Sequence, residues 1–313
     1  MKAVLIRRYG GPEVVEFAET ETPKPGPGQV LVRVRASSVN PIDWKIRTGD
    51  LKLFIRKPMP IVLGVDLAGE ISALGEGASK FALGDQVFAM APEDVGASAE
   101  YMAIAESLVV KKPSNLSMEE AASVPAVALT ALQGLRDKGG LKVGQDVLIN
   151  GASGGVGIFA VQLAKVLGAA RVTAVCSAAN ADLVRSLGAD EVIDYRTTDF
   201  TTQAARYHIV YDCVGTRTFG ECKKVMHKGG AYISTGFSPG LLLWAGLSPL
   251  MSHKASIIIV KSNGDDLDTL RKLLEEGKVK SIVDRTFPIA QIKEAHAYSE
   301  TGRAKGKIVL SVG

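Results

Sequence analysis

Between Asp146 and Gly157 the chain reads Asp-Val-Leu-Ile-Asn-Gly-Ala-Ser-Gly-Gly-Val-Gly, a short apolar strand that runs straight into a glycine-dense turn. Behind the turn, Val161, Leu163, Ala164 and Leu167 recur at helical spacing. Strand, glycine turn and helix in immediate succession form the setting in which such a turn seats a dinucleotide pyrophosphate. Ser153, Gly154, Gly155 and Val156 would form the cradle. Gly154 and Gly155 are expected to turn the backbone sharply and let it approach phosphate, and Gly157 to pack the helix closely on the strand. The helix N-terminus adds unpaired N–H groups and a partial positive charge. Ala152 stands in the first glycine slot of G-x-G-x-x-G, so the match is a relaxed one. A glycine turn closing an ordinary strand is the plain alternative.

The segments beyond the turn favour the nucleotide site. Val172–Cys176, Glu191–Ile193, Ile209–Asp212, Tyr232–Thr235 and Ile257–Val260 read as strands, alternating with helical segments at Val156–Leu167, Ala181–Leu187 and Phe219–His227. Gly168, Gly188 and Gly229-Gly230 fall where left-handed helix caps are expected. Alternation of this kind predicts parallel strands joined by helical crossovers, a doubly wound sheet. The first third instead shows β-rich runs split by Pro/Gly turns, an antiparallel and partly barrel-like pattern. The N-terminal run reads as an edge strand, and the terminal strand Lys307–Val312 is expected to return to the first domain.

With 313 residues, 46% hydrophobic and 22% charged, the composition is that of a globular protein of about two domains. No apolar run is long enough to span a bilayer. A mild, scattered net charge of +4 does not suggest nucleic-acid binding. Three cysteines without a CxxC fit a reducing compartment, and a cytoplasmic protein is expected. His208, His227, His253 and His296 are far apart in sequence, and no metal site is expected from them.

Eight motifs occur in order: Gly28-Gln-Val-Leu-Val-Arg-Val, Ser38-Val-Asn-Pro-Ile-Asp, Leu63-Gly-Val-Asp-Leu-Ala-Gly-Glu, Gly84-Asp-Gln-Val, Leu129-Thr-Ala-Leu, Gly151-Ala-Ser-Gly-Gly-Val-Gly, Leu187-Gly-Ala-Asp-Glu-Val-Ile-Asp-Tyr and Gly306-Lys-Ile-Val-Leu. Together they resemble the medium-chain dehydrogenase/reductase superfamily, in its zinc-free quinone oxidoreductase (ζ-crystallin-like) and enone reductase branch. The resemblance covers nearly the whole chain. It implies a GroES-like β-rich catalytic domain over residues 1–117 and 263–313, with a Rossmann sheet over 118–262. The zinc alcohol dehydrogenases of that superfamily carry Cys where Asn40 stands and a His-Glu pair where Val65-Asp66 stands. They also have a four-cysteine lobe that this chain lacks. Zinc needs about four N, S or O ligands, so neither zinc site is expected here.

The second strand of the alternating region ends in Ser177-Ala-Ala-Asn180, without the carboxylate that binds a ribose diol in NAD sites. Ser177 and Asn180 can donate to a 2′-phosphate, and the resemblance sets Tyr195 beside it. The basic residue common in the family at 179 or 180 is missing. NADPH is the expected cofactor. The resemblance adds Cys213 to its binding surface and implies a nicotinamide near Asn40, Thr130 and the Gly236-Phe237-Ser238 turn, in a cleft between the domains.

Without a metal, a carbonyl acceptor has to be polarised by hydrogen-bond donors. Lys45 is the cationic candidate, Asn40 an amide donor, and Asp43 a group that orients local backbone or the lysine. Two apolar loops, Leu51–Ile55 with Trp44 and Leu241–Met251, are candidates to shape the pocket. With these residues, the resemblance implies hydride transfer from NADPH to a quinone or an α,β-unsaturated carbonyl. An NADPH-binding protein with a structural, crystallin-like role is the alternative. An apolar edge strand at Ile257–Val260 suggests a homodimer.

Overall fold

The computed structural model describes residues 1–52, 57–91, 96–237, 239–247 and 252–313. The chain divides into two compact units, the first comprising Met1–Leu129, Lys261–Gly277 and Ser281–Gly313, the second Thr130–Val260 with Lys278–Lys280. The expected boundary at residues 117 and 118 lies too early. The helix Met118–Ala122 belongs to the first unit, and Asp66 of that unit accepts a hydrogen bond from the Ala126 N–H at 2.7 Å.

The first unit is built on a seven-stranded sheet whose longest member, Gln29–Val39, pairs with Asp66–Leu74, Tyr101–Ala105 and the terminal Lys307–Ser311, all antiparallel. Along Gln29–Val39, Val30, Val32 and Val34 are fully buried while the residues between them are not, the period-2 signature of a strand with one face on a core. The terminal strand does return to the first unit, as expected. Its pairing with Ala36–Val39 sets Lys307 beside the end of that strand. Lys2–Ile6 departs from expectation. It is the middle strand of a three-stranded sheet, flanked by Val15–Glu19 and Ile61–Val62, and Ala3–Ile6 are buried.

The second unit holds six parallel strands. In sheet order these are Glu191–Asp194, Arg171–Cys176, Asp146–Asn150, Tyr207–Asp212, Met226–Ser234 and Lys254–Ile257, or 3-2-1-4-5-6 by chain order. The order reverses between the first and fourth strands, the switch point outside whose carboxyl ends nucleotides bind in sheets of this type. Val147–Ile149, Val172–Val175 and Ile209–Tyr211 are nearly solvent-free, because central parallel strands are covered on both faces.

Three local expectations change. Gly229-Gly230 lie inside the Met226–Ser234 strand and cap no helix; the register with Tyr207–Asp212 shifts there. The edge strand covers Lys254–Ile257, three residues ahead of the expected span. Pro239–Leu247, expected as part of a loop, forms a helix: Leu241 enters the core cluster while Leu242, Leu243, Trp244 and Leu247 stay exposed. Within the two apolar segments, residues 53–55 and 248–251 lie outside the described residues, as does Ser238.

Candidate active site

In the second unit, the loops after the first five strands carry Ser153–Val156, Ser177 and Asn180, Tyr195, Cys213, and Gly236 with Phe237 at one end of the sheet, while Thr130 lies in the helix Pro125–Gln133. The sharp turn falls at Gly151, with φ +79°, where a Cβ would also lie 2.5 Å from the Val214 side chain. Gly154, expected to make that turn, has an ordinary φ of −84° and opens the Gly155–Val166 helix. A Cβ at Gly154 would meet only the Gly151 carbonyl, at 3.4 Å, which is normal contact. The fold itself therefore does not demand glycine at 154. The backbone at the head of this helix is left open by the chain's own packing. Gly157 is different: a Cβ would sit 2.1 Å from the Gly151 carbonyl oxygen, so helix and turn can touch only through glycine.

Asn180 donates its amide N–H to Ser153 Oγ at 3.0 Å, which ties the second-strand loop to the glycine turn. Its Oδ1 is buried without a partner among the described residues. The sequence assigned Asn180 as a phosphate donor; in this amide orientation the unspent atom is an acceptor. Ser177 is buried at the strand tip. Tyr195, 55% exposed, follows the neighbouring strand, with its backbone N–H bonded to the Cys176 carbonyl, which sets it next to that tip. Arg196 holds its guanidinium over the Tyr195 ring, 5.9 Å from the centroid, so the loop that carries Tyr195 also carries a cation.

The Thr130 carbonyl accepts the Tyr211 hydroxyl at 2.8 Å. Cys213 is held by its N–H to the Asn150 carbonyl, and burial pushes its thiol well above the usual range, so it is no thiolate nucleophile. Gly236 packs against Gly215, where a Cβ would come 2.5 Å from the Gly236 Cα, and Phe237 is exposed beside it. Sequence reasoning missed Asp212. Its Oδ1 accepts Asn150 Nδ2 at 2.9 Å and the N–H groups of Val214 and Gly215, and its Oδ2 accepts the Arg217 N–H and Tyr232 OH. One buried carboxylate thus shapes the loop beyond the fourth strand. The available signal was an acidic residue closing an apolar strand.

Asn40 begins the helix Pro41–Thr48 in the first unit. An Asn at such a position ordinarily caps the helix with its side chain. Here the capping contact seen is that of Asp43, whose carboxylate accepts the Asn40 N–H at 2.7 Å and the Gly64 N–H at 3.2 Å. Asp43 therefore orients backbone and not Lys45. Burial drives its carboxyl up to about 7 against the opposing pull of these N–H groups. The Asn40 side chain turns inward instead. Its Oδ1 accepts Lys307 Nζ at 2.5 Å, and its Nδ2 donates to Asp66 Oδ2 at 2.8 Å. Ser38 Oγ donates to that same oxygen at 2.6 Å, and Asp66 Oδ1 takes the Ala126 N–H. Lys307 was legible only as the start of a strand, and Asp66 only as a departure from a zinc ligand pair.

Both carboxylate oxygens of Asp66 are engaged and Val65 offers no ligand atom, so the donors at these positions do not make a zinc site. Lys45 has its ammonium 5.6 Å from the Trp44 ring centroid, and the Trp44 indole N–H is buried without an acceptor among the described residues. Elsewhere, folding brings together histidines that are distant in sequence. The His208 and His227 rings lie 4.5 Å apart beside Asp146. His208 Nδ1 accepts the Asp146 N–H at 3.0 Å, which leaves the proton of the neutral ring on Nε2, and the Asp146 carboxylate pairs with Arg171. His208 Nδ1 and the Asp146 carboxylate thus have protein partners, while exposed His227 meets His208 through its ring.

Residues 26–114 match the alcohol dehydrogenase GroES-like domain, and residues 187–310 match the zinc-binding dehydrogenase family. A chloroplastic quinone oxidoreductase of Triphysaria versicolor is 36% identical over 99% of this chain and 98% of its own length. The chloroplastic NADPH-dependent alkenal/one oxidoreductase of Arabidopsis thaliana is 34% identical, covering 99% of this chain and 79% of that protein. The solved structure of the quinone oxidoreductase from Coxiella burnetii superposes with a TM-score of 0.92 at 31% identity, covering 100% of this chain and 99% of that one. With its GroES-like sheet, its 3-2-1-4-5-6 nucleotide sheet and relatives of this kind along its whole length, the chain belongs to the medium-chain dehydrogenase/reductase superfamily, among the quinone oxidoreductases and enone reductases.

Proposed function

We propose that this protein is an NADPH-dependent, zinc-independent oxidoreductase acting on quinones or α,β-unsaturated carbonyls. The observation that carries the proposal is the cradle at Gly154: a backbone left open by the chain's own packing, at the head of a helix and beside the sheet's switch point. The Gly154–Val156 backbone and the helix N-terminus would hold the diphosphate, and Ser177, Tyr195 and Arg196 would hold the 2′-phosphate. The Asn180 amide serves the same group if it turns over, its Oδ1 then accepting from Ser153. When bound, the reduced nicotinamide supplies a hydride; the chain's residues orient the partners and stabilise charge.

Charge that develops on the acceptor's oxygen needs donors. Lys45, the second N–H of the Asn40 amide and the Trp44 indole N–H, which has no acceptor among the described residues, are donors from the first unit. No side chain is assigned as proton donor, and water serves that role. Asp66 and Asn40 are spent on Lys307, which supports a mechanism without zinc.

The test is consumption of NADPH with phenanthrenequinone, a benzoquinone and an alkenal in parallel, on protein assayed for metal and treated with a chelator. Turnover that survives chelation is expected. Activity that is abolished by the chelator and restored by zinc would refute zinc independence, and tight NADPH binding without turnover on any acceptor would favour the structural role. In an active protein, Lys45→Ala is expected to lower kcat/KM at least tenfold; unchanged kinetics would remove Lys45 from the site. A homodimer paired along the Lys254–Ile257 edge, in a reducing cytoplasm, completes the proposal.

A further inference from the structure

The inward turn of the Asn40 side chain has a directional consequence. A side-chain amide presents an acceptor on one end and two donors on the other. The ammonium of Lys307, which can only donate, stands at the Oδ1 end at 2.5 Å, and the carboxylate of Asp66, which can only accept, stands at the Nδ2 end at 2.8 Å. Turning the amide over would set NH₂ against ammonium and carbonyl against carboxylate. The amide therefore has one orientation.

The two clamping groups are fixed in turn. Lys307 Nζ also donates to the Val39 carbonyl at 3.2 Å and lies 3.5 Å from Asp66 Oδ2, while Asp66 accepts Ser38 Oγ and the Ala126 N–H. Asn40, Asp66 and Lys307 are 4%, 0% and 3% exposed, so water does not compete. One hydrogen of Nδ2 is consumed by Asp66; the other has no acceptor among the described residues. A buried ion pair is a poor choice for stability alone, since apolar groups of the same shape often do as well or better. Its use here is geometric.

We infer that Lys307 and Asp66 are positioning residues that lock the Asn40 amide in the single orientation that keeps its second N–H available as a donor to the acceptor's carbonyl oxygen. The inference rests on the proposed carbonyl reduction. Neither residue touches substrate; both act through Asn40.

A double-mutant cycle tests it. Lys307→Met or Asp66→Asn alone strands a buried charge, so the two are combined, which removes both charges at nearly constant shape. The combined variant is expected to keep its melting temperature within a few degrees, bind NADPH as the parent does, and lose at least tenfold in kcat. Asn40→Ala is expected to cost a similar factor in the parent and little more in the combined variant. Parental kcat in the combined variant, or losses that multiply in the triple variant, would overturn the inference, because a purely structural role gives independent effects.

An NMR measurement on the parent protein needs neither activity nor a folded variant. With asparagine labelled in its side chain, Asn40 is expected to give one pair of amide resonances, the Asp66-bonded proton exchanging slowly with solvent. Averaged or fast-exchanging protons at both positions would overturn the lock. Absence of turnover in the parent, with the lock present, would refute the proposed reduction and leave the positioning network standing.

Discussion

Asp43 offers a direct thermodynamic test of the buried cluster. Its carboxyl rises from an ordinary 3.8 to about 7, chiefly because burial disfavours the charged form; the neighbouring Asp66 carboxylate adds to the rise. The N–H groups of Asn40 and Gly64 and the Lys307 ammonium pull the other way and lose. The folded chain thus holds this proton more tightly than the unfolded chain does. Stability from this group is complete below about pH 4 and is lost progressively as pH climbs through about 7. The gap corresponds to roughly 4 kcal/mol in all, of which about 3 kcal/mol falls between about pH 5 and pH 8. Buried His296, depressed to about 4 by burial beside Arg47, has the opposite sign: its contribution is present above its ordinary 6.5 and is lost as pH falls. Comparison with Asp43→Asn cancels that background. Asparagine cannot ionise, and it gives up one of two backbone hydrogen bonds, at a cost of about 1–2 kcal/mol. Urea unfolding of both proteins across this range should show the parent's advantage over the variant shrinking by about 3 kcal/mol toward high pH. A difference that stays constant with pH, or an Asp43 carboxyl carbon that titrates near 4 by NMR, would refute the reasoning.

The two cradle glycines should separate binding from folding. Gly154→Ala is expected to change stability by less than about 0.5 kcal/mol and weaken NADPH binding at least tenfold by fluorescence titration, whereas Gly157→Ala should cost about 1–3 kcal/mol because its Cβ would sit 2.1 Å from the Gly151 oxygen. Arg196→Ala should raise the Kd for NADPH several-fold and leave that for NADH unchanged by calorimetry; equal losses would remove Arg196 from 2′-phosphate recognition. For the edge strand, light scattering should find a dimer in the parent and a monomer in Ile257→Lys; a parent that is already monomeric would refute the pairing.

Much of the second unit was legible because its signals are local. A strand, a glycine turn and an apolar helix are adjacent in sequence, and Val147–Ile149 and Val161–Leu167 carry periodicities that do not depend on distant neighbours. Even there the division of labour among the glycines was not legible: the sharp turn belongs to Gly151 and the open cradle to Gly154, which only backbone angles and neighbours reveal. Gly229-Gly230 show the same limit, since a glycine pair signals permissiveness and not whether a helix cap or an irregular strand uses it.

For the first unit, composition and turns were sufficient to mark a β-rich domain, but the partners of its polar residues were out of reach. Asn40 and Lys307 stand 267 positions apart and meet because the terminal strand pairs antiparallel with the end of Gln29–Val39. Asp66 joins them through the same sheet. What each residue can donate or accept is written in its chemistry, and so was known from the sequence alone. Which donor faces which acceptor, in a place that water cannot enter, was decided by strand register and burial, because hydrogen bonds across a sheet depend on distance in space and not along the chain.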